Sequence, residues 1–272
     1  MRRTLALLLL SAACAGDPPP PPPSTASTVL APRPELLAAG SGALTPLAMA
    51  LAHEVSSGTG LRIRVEPSIG SGGGIAATRD GAIDLGLVSR PLRPEEAGGL
   101  ERVDLARDAV VLAAASDFPR DDLSSADVHR LYRGELRGLT LLLRDEAESA
   151  NAAFEATLPG LAGERRGSAA SGRFPVLDHD DAMALALATT PRAVGVFSLA
   201  AVRPPLRALT VDGVAPSSDA VAHGTWRAVR TLGLVFRPER RDRIAPVLAF
   251  AGSERGRALI RSLGYLPVEP GR

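Results

Sequence analysis

The sequence contains no lysine, few aromatic residues and a single cysteine. All 31 basic residues are therefore arginines, and with 30 acidic residues they give a net charge of +1. A balanced charge without a basic tract argues against general nucleic-acid binding. Aromatic residues make up only 3% of the chain, whereas sugar and nucleobase sites commonly stack their ligands on aromatic rings. These shortages favour a small hydrated anion as the ligand.

The only cysteine, Cys14, excludes an internal disulfide and ends a segment typical of exported proteins. Two arginines precede the apolar residues 5–10, and small residues then lead to Cys14, as in a secretory signal peptide. The apolar run is too short to span a bilayer. Cys14 resembles the acylated cysteine of a bacterial lipobox, although Ser11 stands where the lipobox prefers Leu. We expect a signal peptide over residues 1–13 and lipidation of Cys14; a signal peptide with an incidental cysteine is the alternative.

Residues 14–34 are expected to form a tether between the lipid and a folded body. Six consecutive prolines occupy residues 18–23, and a Ser/Thr-rich stretch follows them. Consecutive prolines form an extended helix that acts as a semi-rigid spacer. The pattern predicts a protein anchored to a membrane in the periplasm or at the cell surface.

From residue 35 onward, short apolar runs alternate with helical patterns. This alternation predicts an α/β fold with a mostly parallel sheet. Two glycine-containing stretches, residues 70–74 and 160–174, are interpreted as a loop and a surface excursion. The strands are predicted at residues 36–39, 61–65, 83–88, 109–114, 139–143, 193–197, 208–211 and 231–236. The helices are predicted at residues 44–55, 75–80, 124–131, 148–158, 182–188 and 244–263.

Four loops follow apolar strands and precede helices. In open α/β sheets, ligands bind where such loops gather at the carboxyl ends of the strands. The first turn of a helix has unpaired N–H groups and a partial positive charge, both of which favour an anion. The sequence therefore predicts an anion cradle built from residues 40–43, 70–74, 89–91 and 144–149.

Arg144 is the strongest single candidate ligand in these loops, because it directly follows an apolar strand. Its guanidinium can present two parallel donors to an oxyanion, although a solvated surface arginine fits the pattern equally well. Ser41, Ser71 and Ser89 each have an alternative role as a helix cap or turn residue.

Metal-binding and catalytic patterns are weak. Residues 178–181 read Asp-His-Asp-Asp, which fits a helix cap and a solvated turn better than a metal site. The chain has no Gly-x-Ser-x-Gly elbow and no nucleophile with an obvious histidine partner. We expect no metal, no cofactor and no enzymatic activity.

The same loops resemble those of the periplasmic phosphate-binding proteins of ABC importers. Residues 40–47 resemble the first Gly-Ser-Gly-Thr loop of that family, and residues 69–75, Ile-Gly-Ser-Gly-Gly-Gly-Ile, match its most distinctive motif nearly letter for letter. Further matches follow in order along the chain, at residues 84–92, 132–135, 193–198, 211–216 and 264–268.

The resemblance implies a two-lobed, α/β, periplasmic-binding-protein-like fold with a hinge between the lobes. Lobe 1 would comprise residues 35–110 and 204–272, and lobe 2 residues 111–203. The implied function is to capture a small oxyanion, above all inorganic phosphate, and to present it to an ABC permease as a monomer. The alternative is a non-transporting surface or sensory lipoprotein with an altered or lost anion site.

Only some of the residues that bind phosphate in the family have the same residue type at the matching positions of this sequence. Ser71, Ser89 and Arg144 occupy positions that bind phosphate in the family. Arg90 stands where some members carry an aspartate that accepts the phosphate proton. The expected ligand set in the first loop is Gly42, Ala43 and Leu44, where Ala43 replaces a threonine and leaves only backbone N–H groups.

The last loop departs most from the family. Glu148 stands in place of a serine, and Ser149 and Ala150 follow it. Glu148 and Ser149 are included in the expected site. Glu148 lies four residues after Arg144, a spacing at which the two side chains can pair. Two hypotheses remain: Glu148 accepts a proton from phosphate and preserves selectivity against sulfate, or the site is degenerate.

Overall fold

The computed structural model describes residues 35–178 and 180–268, all of which belong to one compact unit. The predicted signal peptide over residues 1–13, the lipidation site Cys14, the tether to residue 34 and His179 lie outside the described residues. Within the described ranges, no helix combines the length and apolarity needed to cross a membrane.

Twelve strands and nine α-helices are assigned within the described ranges. The strands are β1 Glu35–Gly40, β2 Arg62–Val65, β3 Leu85–Val88, β4 Glu101–Ala114, β5 Asp122–Leu123, β6 Thr140–Arg144, β7 Val176–Leu177, β8 Ala193–Ser198, β9 Arg207–Ala208, β10 Thr210–Val211, β11 Val229–Phe236 and β12 Leu266–Pro267. The helices are α1 Thr45–Thr59, α2 Gly70–Arg79, α3 Ser125–Tyr132, α4 Ser149–Glu155, α5 Leu161–Ala170, α6 Asp180–Thr189, α7 Ser218–Ala222, α8 Arg241–Gly252 and α9 Glu254–Ser262.

The alternation of strands and helices predicted from the sequence is confirmed, with three corrections. The glycine run at residues 70–74 opens α2 and is not a loop. Residues 161–170 form α5, where a surface excursion was predicted, because buried Leu161 and Ser168 pack this segment into the body. The predicted helix over residues 244–263 is two helices, and Ser253 caps the second by accepting a hydrogen bond from the Gly256 N–H.

Ten strands join in one sheet of mixed direction, with the path β2-β1-β3-β11-β4-β8-β6-β7. The outer pairs are parallel, whereas β11 runs antiparallel to both β3 and β4, and β4 runs antiparallel to β8. The prediction of a mostly parallel sheet is therefore wrong at its centre. The pairing of β11 with β4 also shifts register: Leu232 lies opposite Ala106 and Gly233 opposite Asp104, so β4 carries one extra residue, Leu105, as in a β-bulge.

The apolar side chains form two large buried clusters. The first cluster packs α1, α8 and α9 against β1, β3 and β11, and the second surrounds β6, β8 and α3–α6. Strand β4 belongs to both: Leu105 and Ala106 lie in the first cluster, and residues 109–114 lie in the second. Apolar side chains between Leu206 and Val229 also pack against the second cluster.

Two glycines allow the end of β1 to lie close to its neighbours. Gly40 has φ +146°, and a Cβ added there would lie 2.2 Å from the carbonyl oxygen of Leu87. A Cβ added at Gly74 of α2 would lie 2.9 Å from the Cα of Gly40. Gly74 therefore permits α2 to pack backbone to backbone on the end of β1.

Candidate anion-binding site

Four serine hydroxyls meet where β1 and β3 end and where α2 and α4 begin. Ser41 Oγ donates to Ser89 Oγ at 2.8 Å, and Ser71 Oγ lies 3.1 Å from the same atom. Ser149 Oγ lies 2.7 Å from Ser89 Oγ. The backbone N–H of Ser89 donates to Ser71 Oγ, which fixes the loop after β3. The structure thus brings together Ser71, Ser89 and Ser149 of the predicted site, and it adds Ser41. We call these four residues the serine cluster.

Arg144, the last residue of β6, is buried between two carboxylates. Its Nη2 lies 2.9 Å from Glu148 Oε2 and 3.1 Å from Asp180 Oδ1. The Arg144–Glu148 pair predicted from the four-residue spacing is therefore present. Asp180, the first residue of α6, was interpreted from the sequence only as a helix cap or part of a weak metal pattern.

The first loop forms a 3₁₀ turn, Gly42–Leu44, that leads into α1. The N–H of Leu44 donates to the carbonyl oxygen of Ser41 at 3.1 Å, so this donor serves the turn and not a ligand. Ala43 is buried, and its carbonyl oxygen accepts a hydrogen bond from the hydroxyl of Tyr265. Gly42 lies against Asp180, because a Cβ added at Gly42 would be 2.7 Å from Asp180 Oδ2.

Arg90 is held by its own loop. It makes a two-point pair with Glu96, with Nη1–Oε2 at 2.6 Å and Nη2–Oε1 at 2.7 Å, and it also donates to the carbonyl oxygen of Pro91. Within residues 35–178 and 180–268, no hydrogen bond joins the Arg90 side chain to the serine cluster. The structure therefore does not bring Arg90 together with the other predicted ligand residues.

The hydrogen bonds from Arg90 lower the pKa of the Glu96 carboxyl to about 2. A lowered carboxyl pKa stabilises the fold fully above the unfolded-state value, near 4.5, and this contribution is lost as the pH falls toward 2. We expect Glu96→Gln to reduce the free energy of unfolding by about 2 kcal/mol at pH 7.

Urea unfolding at pH 7, 5 and 3 measures this effect. The difference between wild type and Glu96→Gln should shrink below pH 4.5, and the neighbouring exposed residue offers Glu95→Gln as the control. A difference that grows as the pH falls would contradict the assigned role of the pair.

Two further charged residues at the site were missed by the sequence analysis. Asp108 of β4 and Arg230 of β11 face each other in the sheet and are both buried. Arg230 Nε donates to Asp108 Oδ2 at 2.9 Å, and Ser198 Oγ donates to Asp108 Oδ1 at 2.7 Å. Arg230 Nη1 donates to Ser149 Oγ at 3.0 Å, which links the pair to the serine cluster.

A signal for this pair exists in the sequence. Asp108 and Arg230 each lie one residue before a strand that the apolar pattern predicted, at residues 109–114 and 231–236. Both strands begin earlier than predicted, so the two charges lie inside the sheet. A charged residue adjoining a strongly apolar run is a reason to extend the strand and to look for a buried partner.

A cleft of 690 Å³ adjoins this cluster of polar residues. Its walls include Gly42 and Ala43 from the first loop, Asp180 and Asp181 from α6, and Ser198 at the end of β8. Within the part of the chain that the structure describes, no group of three or more His, Cys, Asp and Glu side chains is arranged to hold a metal. The chemistry on offer is that of hydroxyl and guanidinium donors beside carboxylate acceptors.

Comparison with known proteins agrees with this architecture. Residues 22–254 match the family model described as the PBP superfamily domain. The chain belongs to the PBP superfamily. The α/β, periplasmic-binding-protein-like fold expected from the resemblance is thereby confirmed.

Two solved structures and one curated protein illustrate what this PBP superfamily chain resembles. A Clostridium perfringens protein described as a phosphate ABC transporter substrate-binding protein with bound phosphate is 21% identical, with TM-score 0.78 over 86% of this chain and 100% of that one. An ABC-type phosphate transport receptor from Vibrio cholerae is 19% identical, with TM-score 0.63 over 85% of this chain and 99% of that one. These likenesses establish the fold.

The curated relative is the phosphate-binding protein PstS 2 of Streptococcus pneumoniae. It is 33% identical over 69 residues, which are 25% of this chain and 24% of the relative. The aligned segment therefore spans about a quarter of the length of that protein.

Proposed function

We propose that this protein is an extracytoplasmic solute-binding protein that captures inorganic phosphate and presents it to an ABC permease. The observation that carries the proposal is the serine cluster. In it, Ser41 and Ser89 follow strands of the first apolar cluster and Ser149 begins a helix of the second, and the hydroxyls meet beside the buried pairs of Arg144 and Arg230. The proposal describes a binding protein and no catalytic step.

The site chemistry favours a protonated oxyanion. A serine hydroxyl both donates and accepts a hydrogen bond, whereas an ionised carboxylate only accepts one. Phosphate retains a proton near neutral pH, which Asp180 can accept, whereas sulfate has no proton to donate. The Asp180 carboxylate beside Arg144 would therefore repel sulfate and tolerate phosphate.

The names of the relatives support phosphate as the ligand. The Clostridium perfringens protein was solved with bound phosphate, the Vibrio cholerae protein is a phosphate transport receptor, and the Streptococcus pneumoniae protein is named for phosphate binding. Ser71, in the first turn of α2, lies within the motif at residues 69–75 that carried the sequence resemblance.

The binding movement would be a closure of two lobes that follow the two buried clusters. The hydrogen bond between Ser89 and Ser149 joins the loop after β3 to helix α4, which packs in the second cluster. Asp180 of α6 likewise lies against Gly42 in the loop after β1. Because residues 206–229 pack on the second cluster, we propose the return to lobe 1 near residue 229 and not at residue 204.

The remaining features of the proposal rest on the sequence. Lipidation of Cys14 and the proline-rich tether would hold a monomer at a membrane surface outside the cytoplasm, in the periplasm or at the cell surface. The balanced net charge of +1 gives no reason to include nucleic acid among the partners.

Titration calorimetry on the purified full-length protein in mild detergent tests the function. We expect saturable binding of phosphate with a dissociation constant of about 1 μM, near 8 kcal/mol, and at least tenfold weaker binding of sulfate. A folded sample that binds neither anion would refute the function and favour the non-transporting lipoprotein. Tighter binding of sulfate would refute the selectivity argument.

A further inference from the structure

Arg230 has a donor that the fold itself does not use. Its Nε and Nη1 donate to Asp108 and Ser149, but its buried Nη2 has no hydrogen-bond partner among the described residues. Buried polar groups are normally satisfied, and an unsatisfied donor next to a charge is costly. A group that remains unsatisfied in this way calls for an explanation.

The unused donor adjoins the serine cluster. Arg230 Nη1 lies 3.0 Å from Ser149 Oγ, and Ser149 Oγ lies 2.7 Å from Ser89 Oγ. The guanidinium is planar and rigid, so Nη2 is fixed once Nε and Nη1 are bonded. Asp108, which accepts from Nε on the opposite strand, and Ser149, which accepts from Nη1, therefore hold the guanidinium beside the serine cluster.

Nearby carboxylates keep Arg230 positively charged. Burial lowers the pKa of the guanidinium, but attraction to Asp108, Asp180 and Glu148 outweighs it and leaves the pKa raised. Asp180 and Glu148 are the same carboxylates that contact Arg144. The charges of Glu148 and Asp180 therefore act on both arginines.

We propose that Arg230 is a second anion-binding guanidinium, which donates from Nη2 to an oxygen of the bound dianion opposite Arg144. This inference rests on the proposed function and deepens it, because a second guanidinium adds a directed donor for another oxygen of the same anion. Asp108 is the positioning residue: it holds the fork of Arg230 and does not contact the ligand. The competing explanation is that Arg230 serves only to neutralise Asp108.

The two explanations differ in the effect that they predict for Asp108→Asn. If Arg230 binds the anion, Arg230→Gln weakens phosphate binding about tenfold, whereas Asp108→Asn keeps an oxygen that can accept from Arg230 Nε, removes a nearby negative charge and leaves binding unchanged or tighter. If Arg230 only neutralises Asp108, both variants disturb the same buried pair and weaken binding alike. Calorimetry with inorganic phosphate on the full-length protein measures both.

The controls separate folding and positioning from binding. Arg165→Gln removes another buried arginine, paired with Glu155, and should change phosphate affinity less than twofold. The double variant Arg230→Gln/Asp108→Asn leaves no unpaired charge, so it should fold and still bind weakly. In a Ser149→Ala background, Arg230→Gln should weaken binding further, because a residue that acted only through Ser149 would have no additional effect.

Each outcome either supports or overturns the role of Arg230 in anion binding. Unchanged phosphate affinity in Arg230→Gln, or equal weakening in Asp108→Asn, would overturn the inference while wild-type binding left the proposed function intact. Absence of phosphate binding by the folded wild type would overturn the function and this inference together. Weak binding by the double variant with wild-type affinity in Asp108→Asn is the result expected.

Discussion

Replacing Arg144 with glutamine is expected to weaken phosphate binding by about 100-fold or more. Arg144 is 2% exposed, so its charge acts in a poorly solvated environment. Truncating one member of a buried charge pair costs roughly 2–5 kcal/mol, and much of that cost is the charge left behind. Glu148 and Asp180 would remain beside the ligand without the cation that offsets them.

Calorimetry with phosphate at pH 7.5 checks this expectation, and Arg165→Gln again provides the matched buried arginine. Near-ultraviolet circular dichroism confirms that each variant is folded, since the single Trp226 lies in the second cluster and donates to the Val110 carbonyl oxygen. An affinity within tenfold of wild type would remove Arg144 from the site.

Replacing Glu148 with glutamine is expected to tighten phosphate binding roughly thirtyfold. In the structure Glu148 Oε2 lies 2.9 Å from Arg144 Nη2, so its charge competes with an incoming anion for the guanidinium. Two unit charges about 4 Å apart interact by about 4 kcal/mol at an effective dielectric constant near 20. If the variant removes half of this repulsion between Glu148 and the anion, the phosphate affinity rises roughly thirtyfold. The other hypothesis, in which Glu148 accepts the phosphate proton, predicts weaker phosphate binding for the same variant.

Sulfate separates the two hypotheses further. Both predict that sulfate binding rises in Glu148→Gln, because a repelling carboxylate is gone. Only the competitor hypothesis predicts that phosphate gains as well, so the ratio of the two affinities identifies the role. Glu146→Gln is the matched control, since this carboxylate lies in the same loop and is 73% exposed. A loss of phosphate affinity in Glu148→Gln alone would establish Glu148 as the proton acceptor.

Local patterns were sufficient to predict much of the fold. The apolar runs at residues 139–143 and 193–197 predicted β6 and β8, and the helical pattern at residues 44–55 predicted α1. The glycine run was misinterpreted because glycine is a poor helix former in isolation, whereas here its lack of a side chain permits contact with Gly40. Packing between distant segments decided that case.

In the candidate site, too, local patterns predicted some residues, whereas contacts between distant segments determined the others. The positions of Ser71, Ser89 and Arg144 followed from loops at strand ends and from the resemblance, and the structure places the two serines in contact. The partnership of Asp108 with Arg230 spans 122 residues along the chain, so no local pattern contains it. Similarly, Arg90 was expected to contact the ligand, but its guanidinium forms an ion pair with the carboxylate of Glu96, six residues later.

The long strand β4 gives the molecule a mechanical property. Its first half is part of one buried apolar cluster and its second half part of the other, without a break in the strand. Any movement between the two halves must therefore bend and twist β4 and the strands hydrogen-bonded to it. This deformation is resisted elastically, whereas a flexible linker would offer little resistance. The same continuity couples the unfolding of the two halves, because loss of β4 from one cluster also removes packing from the other. We therefore expect the body to unfold as one cooperative unit.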